Sequence, residues 1–440
     1  MVKFFELQLL QFFIFILRNK LMYYKGETGI ISIPNMGYKK TAITGVSWMS
    51  FFRIITRVLS FLKIAVLARI LTPTQFGIFG IGFLVLTFLE IFLETGINVI
   101  LIQVKKDINA YIDSAWVVSI VRGILLSLLI LASAPFIANF FNTPKALGIL
   151  LLISLIPLVR GFINPAEVKF RKELNFRYEF WFRLAIFFTD TVVTIIIVFI
   201  THSIYSLVFG LLAGAITEVI LSFILVKPIP KLRLRSGYLG EIIHRGKWIT
   251  AYGIFNYIGE NGDNIVVGKL LGSTSLGIYQ MAYKLSILPI SEVSDVVSQV
   301  VFPVYTKIEN DTKRLIKAFL KTTIAISLGS LLVGGIIYFF SSEIILIVLG
   351  SQWISAAPVL KILSLYGILR AISGPASALF LAKGKQNFVT VMVFARFVVL
   401  SATIYPLISA FGMIGAGYSA LLSVLAEIPI IIYFILKIIK

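Results

Sequence analysis

The chain contains no cysteine among its 440 residues, so it can form neither a disulfide nor a thiolate metal site. Histidine is almost as scarce. His202 and His244 have no ligand or nucleophile at a useful spacing, which leaves no metal centre and no histidine-based catalytic group. No glycine-rich loop runs into a Lys-Ser/Thr pair, so ATP hydrolysis by this chain is excluded. Charge is thin as well. Charged residues make up 14% of the sequence against about 25% in ordinary soluble domains, and acids (20) are half as numerous as bases (40).

Apolar residues are what the chain has in quantity: 58% of the sequence, with a mean hydropathy of +0.97. That composition predicts an all-α polytopic membrane protein. Twelve segments are long enough to span: 45–70, 76–100, 114–138, 146–166, 179–200, 204–226, 247–271, 277–301, 317–340, 355–380, 388–410 and 413–436. The connections alternate in charge. Lys105 and Lys106, Lys169 to Arg177, Lys227 to Lys247, Lys307 to Lys321, and Lys383 and Lys385 fall in every second one, while the connections between carry almost no base. Basic flanks mark the cytoplasmic side, so both termini are expected inside a cytoplasmic (inner) membrane. The outer connections reach about a dozen residues at most, near Ser341 to Ser355, too few to house a glycosyl-transferring domain; the chain reads as a non-enzyme with no cofactor and no nucleic-acid partner.

The two halves repeat each other. Arg69, Leu71, Thr74, Gly77 and Ile78 match Lys269, Leu271, Thr274, Gly277 and Ile278 at one offset, 277 minus 77, or 200. Ser154, Arg160 and Pro165 match Ser364, Arg370 and Pro375 at an offset of 210. Coincident Thr, Gly, Arg and Pro weigh more than matched Leu and Ile. Six spans per half make the repeats parallel, related by a pseudo-two-fold along the membrane normal, which is a two-lobed transporter plan. The expected divisions are an N-terminal extension (1–43, either an interfacial helix or residues ahead of a start at Met36), an N-lobe (44–226), a basic cytoplasmic linker (227–246) and a C-lobe (247–440).

Ionisable side chains at bilayer depth are costly and tend to face a cavity or one another. On the first segment Arg53, Arg57, Ser60 and Lys63 fall within an arc of about 120°. On the seventh, Tyr252, Asn256, Gly259, Glu260 and Asp263 fall in a comparable arc. Lys63 and Asp263 are equivalent in the repeat and are expected to pair across the lobes. Other charges in the spans are Glu90 and Glu94, Arg122, Asp190, Lys284, Glu292 and Asp295, with the repeat pairs Arg160/Arg370 and Glu218/Glu427. A cationic face suits an anionic cargo, since arginine grips phosphate oxygens through several donors.

The stretches ARILTPTQFGIFG (from Ala68), GDNIVVGKLLGSTSLGIYQMAYKL (from Gly262) and VFPVYTKIENDTKRL (from Val301) resemble the polysaccharide transporter family. These are flippases of O-antigen, capsule and exopolysaccharide precursors within the multidrug/oligosaccharidyl-lipid/polysaccharide superfamily. The resemblance runs from about residue 38 to the C-terminus. It implies a V-shaped pair of six-helix lobes working by alternating access on a polyprenyl-pyrophosphate-linked oligosaccharide, carried from the cytoplasmic to the outer leaflet. Membrane lipids and other polysaccharide-assembly membrane proteins are the further partners it suggests. In such relatives the first two helices of each half commonly line the cavity. Arg53, Arg57, Lys63 and Lys284 are then the candidate pyrophosphate contacts, and Glu260, Asp263, Glu90 and Glu94 the candidates for ion coupling or gating. Tyr252, Phe255 or Tyr257 are candidates to stack on sugar rings. An ion-coupled multidrug exporter on the same fold, or a non-transporting scaffold of a glycan-assembly complex, are the alternatives; a drug exporter with cationic cargo calls for an acidic cavity.

Overall fold

A hydrocarbon environment offers no partner to a bare backbone amide, so a chain of this hydropathy satisfies its backbone internally by forming helices. The computed structural model describes residues 38–92, 101, 109–234 and 236–439, all helix and connection with no strand among them. The helices are α1 (Tyr38–Ile70), α2 (Pro73–Phe92), α3 (Asn109–Phe140), α4 (Ala146–Ile153), α5 (Leu155–Arg160), α6 (Lys169–Lys172), α7 (Phe176–Thr201) and α8 (Tyr205–Leu225) in the first half. The second half has α9 (Ser236–Lys307), α10 (Thr312–Phe339), α11 (Ser341–Val348), α12 (Ala357–Ala382), α13 (Gln386–Phe411), α14 (Met413–Leu425) and α15 (Glu427–Ile439). Among the described residues eight helices are long and apolar enough to cross a membrane, or nine if the bent run from Ala146 to Lys172 is one span. The elements outside that group include α1 and α9, which carry the charged strips of the first and seventh segments. The N-terminal extension lies outside the described residues up to residue 37.

Two boundaries differ from the sequence expectation. The 72-residue α9 covers both the seventh and eighth segments and is broken once, at Gly272, whose φ of 80° favours glycine. Its start at Ser236 leaves only a short stretch of the expected linker outside helix. No proline follows Pro230 in that linker, and each residue added to a formed helix gains a hydrogen bond. The remaining non-helical piece is tied to the N-lobe: the Asn164 amide donates to the Pro228 carbonyl (3.1 Å), and the Lys231 amide donates to Asp113 (2.8 Å).

The lobes meet where the repeat is strongest. The Thr74 and Thr274 hydroxyls are 2.8 Å apart, and the first turn of α2 packs on the turn of α9 after Gly272. A Cβ on Gly77 would fall on the Ser273 carbonyl oxygen, and one on Gly277 on the Pro73 carbonyl oxygen. Each side uses the equivalent residues of the other, the signature of contact across a two-fold.

Around this axis each lobe reaches over to cover the other's helix end. The Ala68 carbonyl, orphaned in the last turn of α1, accepts from the side chains of Gln352 (2.6 Å) and Trp353 (2.8 Å). Trp353 is fully buried, its ring edge-on to Phe76 at 5.2 Å. Arg69 donates to the Ile347 carbonyl at 2.5 Å. In the mirrored place Phe141 lies against Gly268, and the Lys269 ammonium sits 4.9 Å above the Phe140 ring. The longest expected outer connection is thus α11 and the turn Ser351–Ala356, a plug in the seal. Trp353→Phe keeps an aromatic side chain, though a smaller one, and removes the indole N–H that the Ala68 carbonyl accepts. It is expected to weaken the seal by about 1 kcal/mol, roughly a fivefold rise in the opened fraction, measured as slower disulfide formation between cysteines placed at Thr74 and Thr274, whose hydroxyls are 2.8 Å apart.

Candidate functional site

Beyond the seal, α1 and the second arm of α9 stand apart, leaving a gap of about 300 Å³. Arg57, Val58, Phe61 and Leu62 wall it on one side, and Lys284, Leu285, Leu288 and Pro289 on the other. The wall is apolar in character, the stems of the two basic residues included. Arg57 and Lys284 are both exposed. Arg53, one turn from Arg57, is exposed on the same helix. Three of the four expected cationic contacts therefore line or adjoin one opening between the lobes.

Lys63 is differently placed. Its ammonium is 2.8 Å from both carboxylate oxygens of Asp190 on α7, with side-chain exposures of 12% and 13%. The expected Lys63–Asp263 pair does not form. Asp263 is buried and accepts from the Tyr279 hydroxyl (2.8 Å) and from the Asn264 backbone (2.7 Å) and side-chain amides (2.9 Å). Repeat equivalence fixed both positions along their helices, but helix rotation turned each side chain into its own lobe.

The remaining carboxylates are held by arginines. Glu90 is 3.1 Å from Arg160, which also lies 3.7 Å from Glu218. With Arg122, which donates to the Glu90 carbonyl (2.7 Å), they line a polar cavity of about 400 Å³ inside the N-lobe. In the C-lobe Glu260 is 3.1 Å from Arg370, the repeat equivalent of Arg160, and Glu427 is 3.5 Å from Arg396. Glu94, and the side chains of Glu292, Asp295, Tyr252 and Phe255, lie outside the described residues. Tyr257 is no sugar platform in this state. It is buried between the lobes, its hydroxyl donating to the Leu84 carbonyl at 2.6 Å.

Sequence reasoning singled out Tyr257 for sugar stacking rather than for this contact with Leu84, and it missed the Gln352–Trp353 plug. The signal for Trp353 was a tryptophan, one of five, directly after the short polar run Gly350-Ser351-Gln352.

Known proteins agree with this architecture. Residues 66–358 match the family described as "Polysaccharide biosynthesis protein". Teichuronic acid biosynthesis protein TuaB of Bacillus subtilis is 25% identical over 372 residues, 79% of this chain and 72% of the relative. Lipopolysaccharide biosynthesis protein WzxC of Escherichia coli is 25% identical over 80% of this chain and 72% of its own. Succinoglycan biosynthesis transport protein ExoT of Rhizobium meliloti is 24% identical over 76% and 68%. In fold, the chain resembles the lipid II flippase MurJ in an inward closed conformation, with a TM-score of 0.72 at 17% identity over 88% of this chain and 89% of that one. A multidrug-resistance MATE transporter in an inward-facing conformation gives 0.70 at 13% identity over 90% and 99%. The match over two thirds of its length places this multi-pass membrane protein in the polysaccharide biosynthesis protein family.

Proposed function

We propose that the chain is a flippase that carries a polyprenyl-diphosphate-linked oligosaccharide from the cytoplasmic to the outer leaflet for cell-surface polysaccharide assembly. The observation that carries this reading is the gap between α1 and α9. Its apolar walls accept a lipid tail without desolvation cost, and Arg57 and Lys284, one from each lobe, supply the cations a diphosphate needs. Arg53 extends that cationic strip toward the mouth. Lys63, held by Asp190, fixes α1 to its lobe. The family match and the transport and biosynthesis names of the relatives point the same way.

The basic connections, Lys169 and Lys231 among them, are at the end away from the Thr74–Thr274 seal. The positive-inside rule therefore makes the sealed end the outer one, with both termini cytoplasmic and twelve spans in two lobes. For ion coupling we assign Asp263, whose hydrogen-bond partners are neutral; Glu90 and Glu260, held by arginines, brace the helices.

Proteoliposomes loaded with a short-glycan polyprenyl diphosphate test the reading. Purified protein is expected to expose the glycan in the far leaflet, and Arg57→Ala with Lys284→Ala to cut that rate at least tenfold while remaining monodisperse. Movement of a cationic dye against a proton gradient, with no glycan exposure, would select the drug-exporter reading instead.

A further inference from the structure

The polar cavity of about 400 Å³ inside the N-lobe shares no lining residue with the gap between the lobes, and the proposed passage of cargo makes no use of it. Its two ends are built differently. At one end Arg171 of α6 and Arg183 of α7 both donate from Nε to the same carboxylate oxygen of Glu179, at 2.6 and 2.9 Å. Glu179 is buried and fixes both guanidinium groups, whose terminal nitrogens have no protein partner among the described residues. Two cations share one anion there, which leaves a fork of donors in the cavity wall. Arg171 is two residues from Lys169, so this end of the cavity is the one away from the Thr74–Thr274 seal. At the other end Arg160 lies 3.1 Å from Glu90 and 3.7 Å from Glu218, with Arg122 beside them. A further acid, Glu167, lines the same cavity on a short turn capped by Asn164, whose Oδ1 accepts from the Ala166 amide at 3.0 Å. The Oε2 of Glu167 is buried and accepts no hydrogen bond from the protein. The back wall is firm, because a Cβ on Gly123 would already lie 2.5 Å from the Pro157 carbonyl oxygen.

We infer that this cavity is a binding site for an anionic monosaccharide, entered from the Arg171 end. The acid group of the sugar takes the unpartnered donors of Arg171 and Arg183, and its hydroxyls meet Glu167 and the Arg160–Glu218 pair. Each part of the wall turns away another class of ligand. A bare inorganic anion has no hydrogen to offer Glu167 and is repelled by its carboxylate. An ammonium group donates only, so it gains nothing from Arg122 and Arg160. A hydroxyl both donates and accepts, which matches a wall where acids and guanidinium groups alternate. Among the described residues no aromatic side chain lines the cavity, so an apolar ligand has nothing to pack on. The volume is at the lower end of the range of roughly 300–1,000 Å³ for small-molecule sites. One sugar ring fits; a long glycan does not. The bound sugar ties the Glu167 turn and α6 to α7 within a single lobe, apart from the path between the leaflets.

Equilibrium binding to the full chain in nanodiscs tests the site without transport, so its result is independent of the flippase reading. D-Glucuronate is the probe, with D-glucose and inorganic sulfate beside it. Glucuronate is expected to bind roughly tenfold more tightly than either, since glucose lacks the charge and sulfate lacks the hydroxyls. Arg183→Gln leaves Glu179 paired with Arg171 and is expected to weaken glucuronate by about tenfold. Glu167→Gln removes the charge at nearly constant size and is expected to erase most of the preference for glucuronate over sulfate; it carries the test alone if Arg183→Gln is not monodisperse. No binding of glucuronate by the parent, or binding that neither variant alters, overturns the site. Sulfate bound as tightly as glucuronate by the parent overturns the sugar. Displacement of labelled glucuronate by a polyprenyl diphosphate whose glycan ends in a uronic acid, and not by its neutral counterpart, keeps the site and assigns it to the cargo. Displacement by free sugar acids alone keeps the site and assigns it to a soluble effector.

Discussion

Leucine at both Gly77 and Gly277 is expected to give a protein that folds but flips nothing above background. The side chains would enter a place where the backbones of α2 and α9 touch, and the atoms they meet are the carbonyl oxygens of Ser273 and Pro73. A main-chain oxygen cannot rotate aside as a side chain can, so the sealed end must part. Small residues at a helix crossing are what permit such closeness in a membrane. The lobes themselves keep their cores, since neither glycine contributes to packing inside its own half. Cysteines at positions 74 and 274 report the result, because the native hydroxyls are 2.8 Å apart. The pair is expected to oxidise readily in the parent and at least tenfold more slowly with leucine present. Alanine at one glycine should act in the same direction but less, in the range of about 1–3 kcal/mol for overpacking. An undiminished cross-link in the leucine variant would mean that the outer seal is made elsewhere.

These glycines show how far the sequence could be read. Thr74/Thr274 and Gly77/Gly277 were visible as coincident positions, and the repeat alone implied that equivalent residues sit about an axis. Helical periodicity likewise placed Arg53, Arg57 and Lys63 on one strip of α1. It could not say which neighbour that strip would meet. Lys63 finds Asp190, 127 residues on, because α7 packs on α1, and nothing local to either segment encodes that crossing. The same limit hid Trp353, whose burial depends on an unsatisfied carbonyl at the end of α1 rather than on any pattern in its own stretch. Glycine at 272 was equally silent. It fits inside a membrane helix, and only its positive φ shows that α9 turns there as the chain does between Ile70 and Pro73.

The Lys63–Asp190 pair should give the second large effect. Both side chains are nearly closed off, and the backbone of α8 comes so near at Gly210 that a Cβ there would be 2.7 Å from the Asp190 carboxylate. Removing one partner leaves a charge with neither water nor counter-ion. Asp190→Asn or Lys63→Met is therefore expected to destabilise by about 3–5 kcal/mol, measured as a fall in Tm in detergent or nanodiscs. Removing both charges is a different matter, because an apolar pair of similar volume is often neutral or better. Lys63→Met with Asp190→Leu should then recover most of the lost Tm. Transport by this stable double variant separates the two roles open to Lys63. If the pair only fastens α1 to α7, as the two 2.8 Å contacts imply, flipping returns with stability. A double variant that is stable yet flips at least tenfold more slowly would show that Lys63 leaves Asp190 to meet the cargo, and that the headgroup site extends from Arg57 up α1.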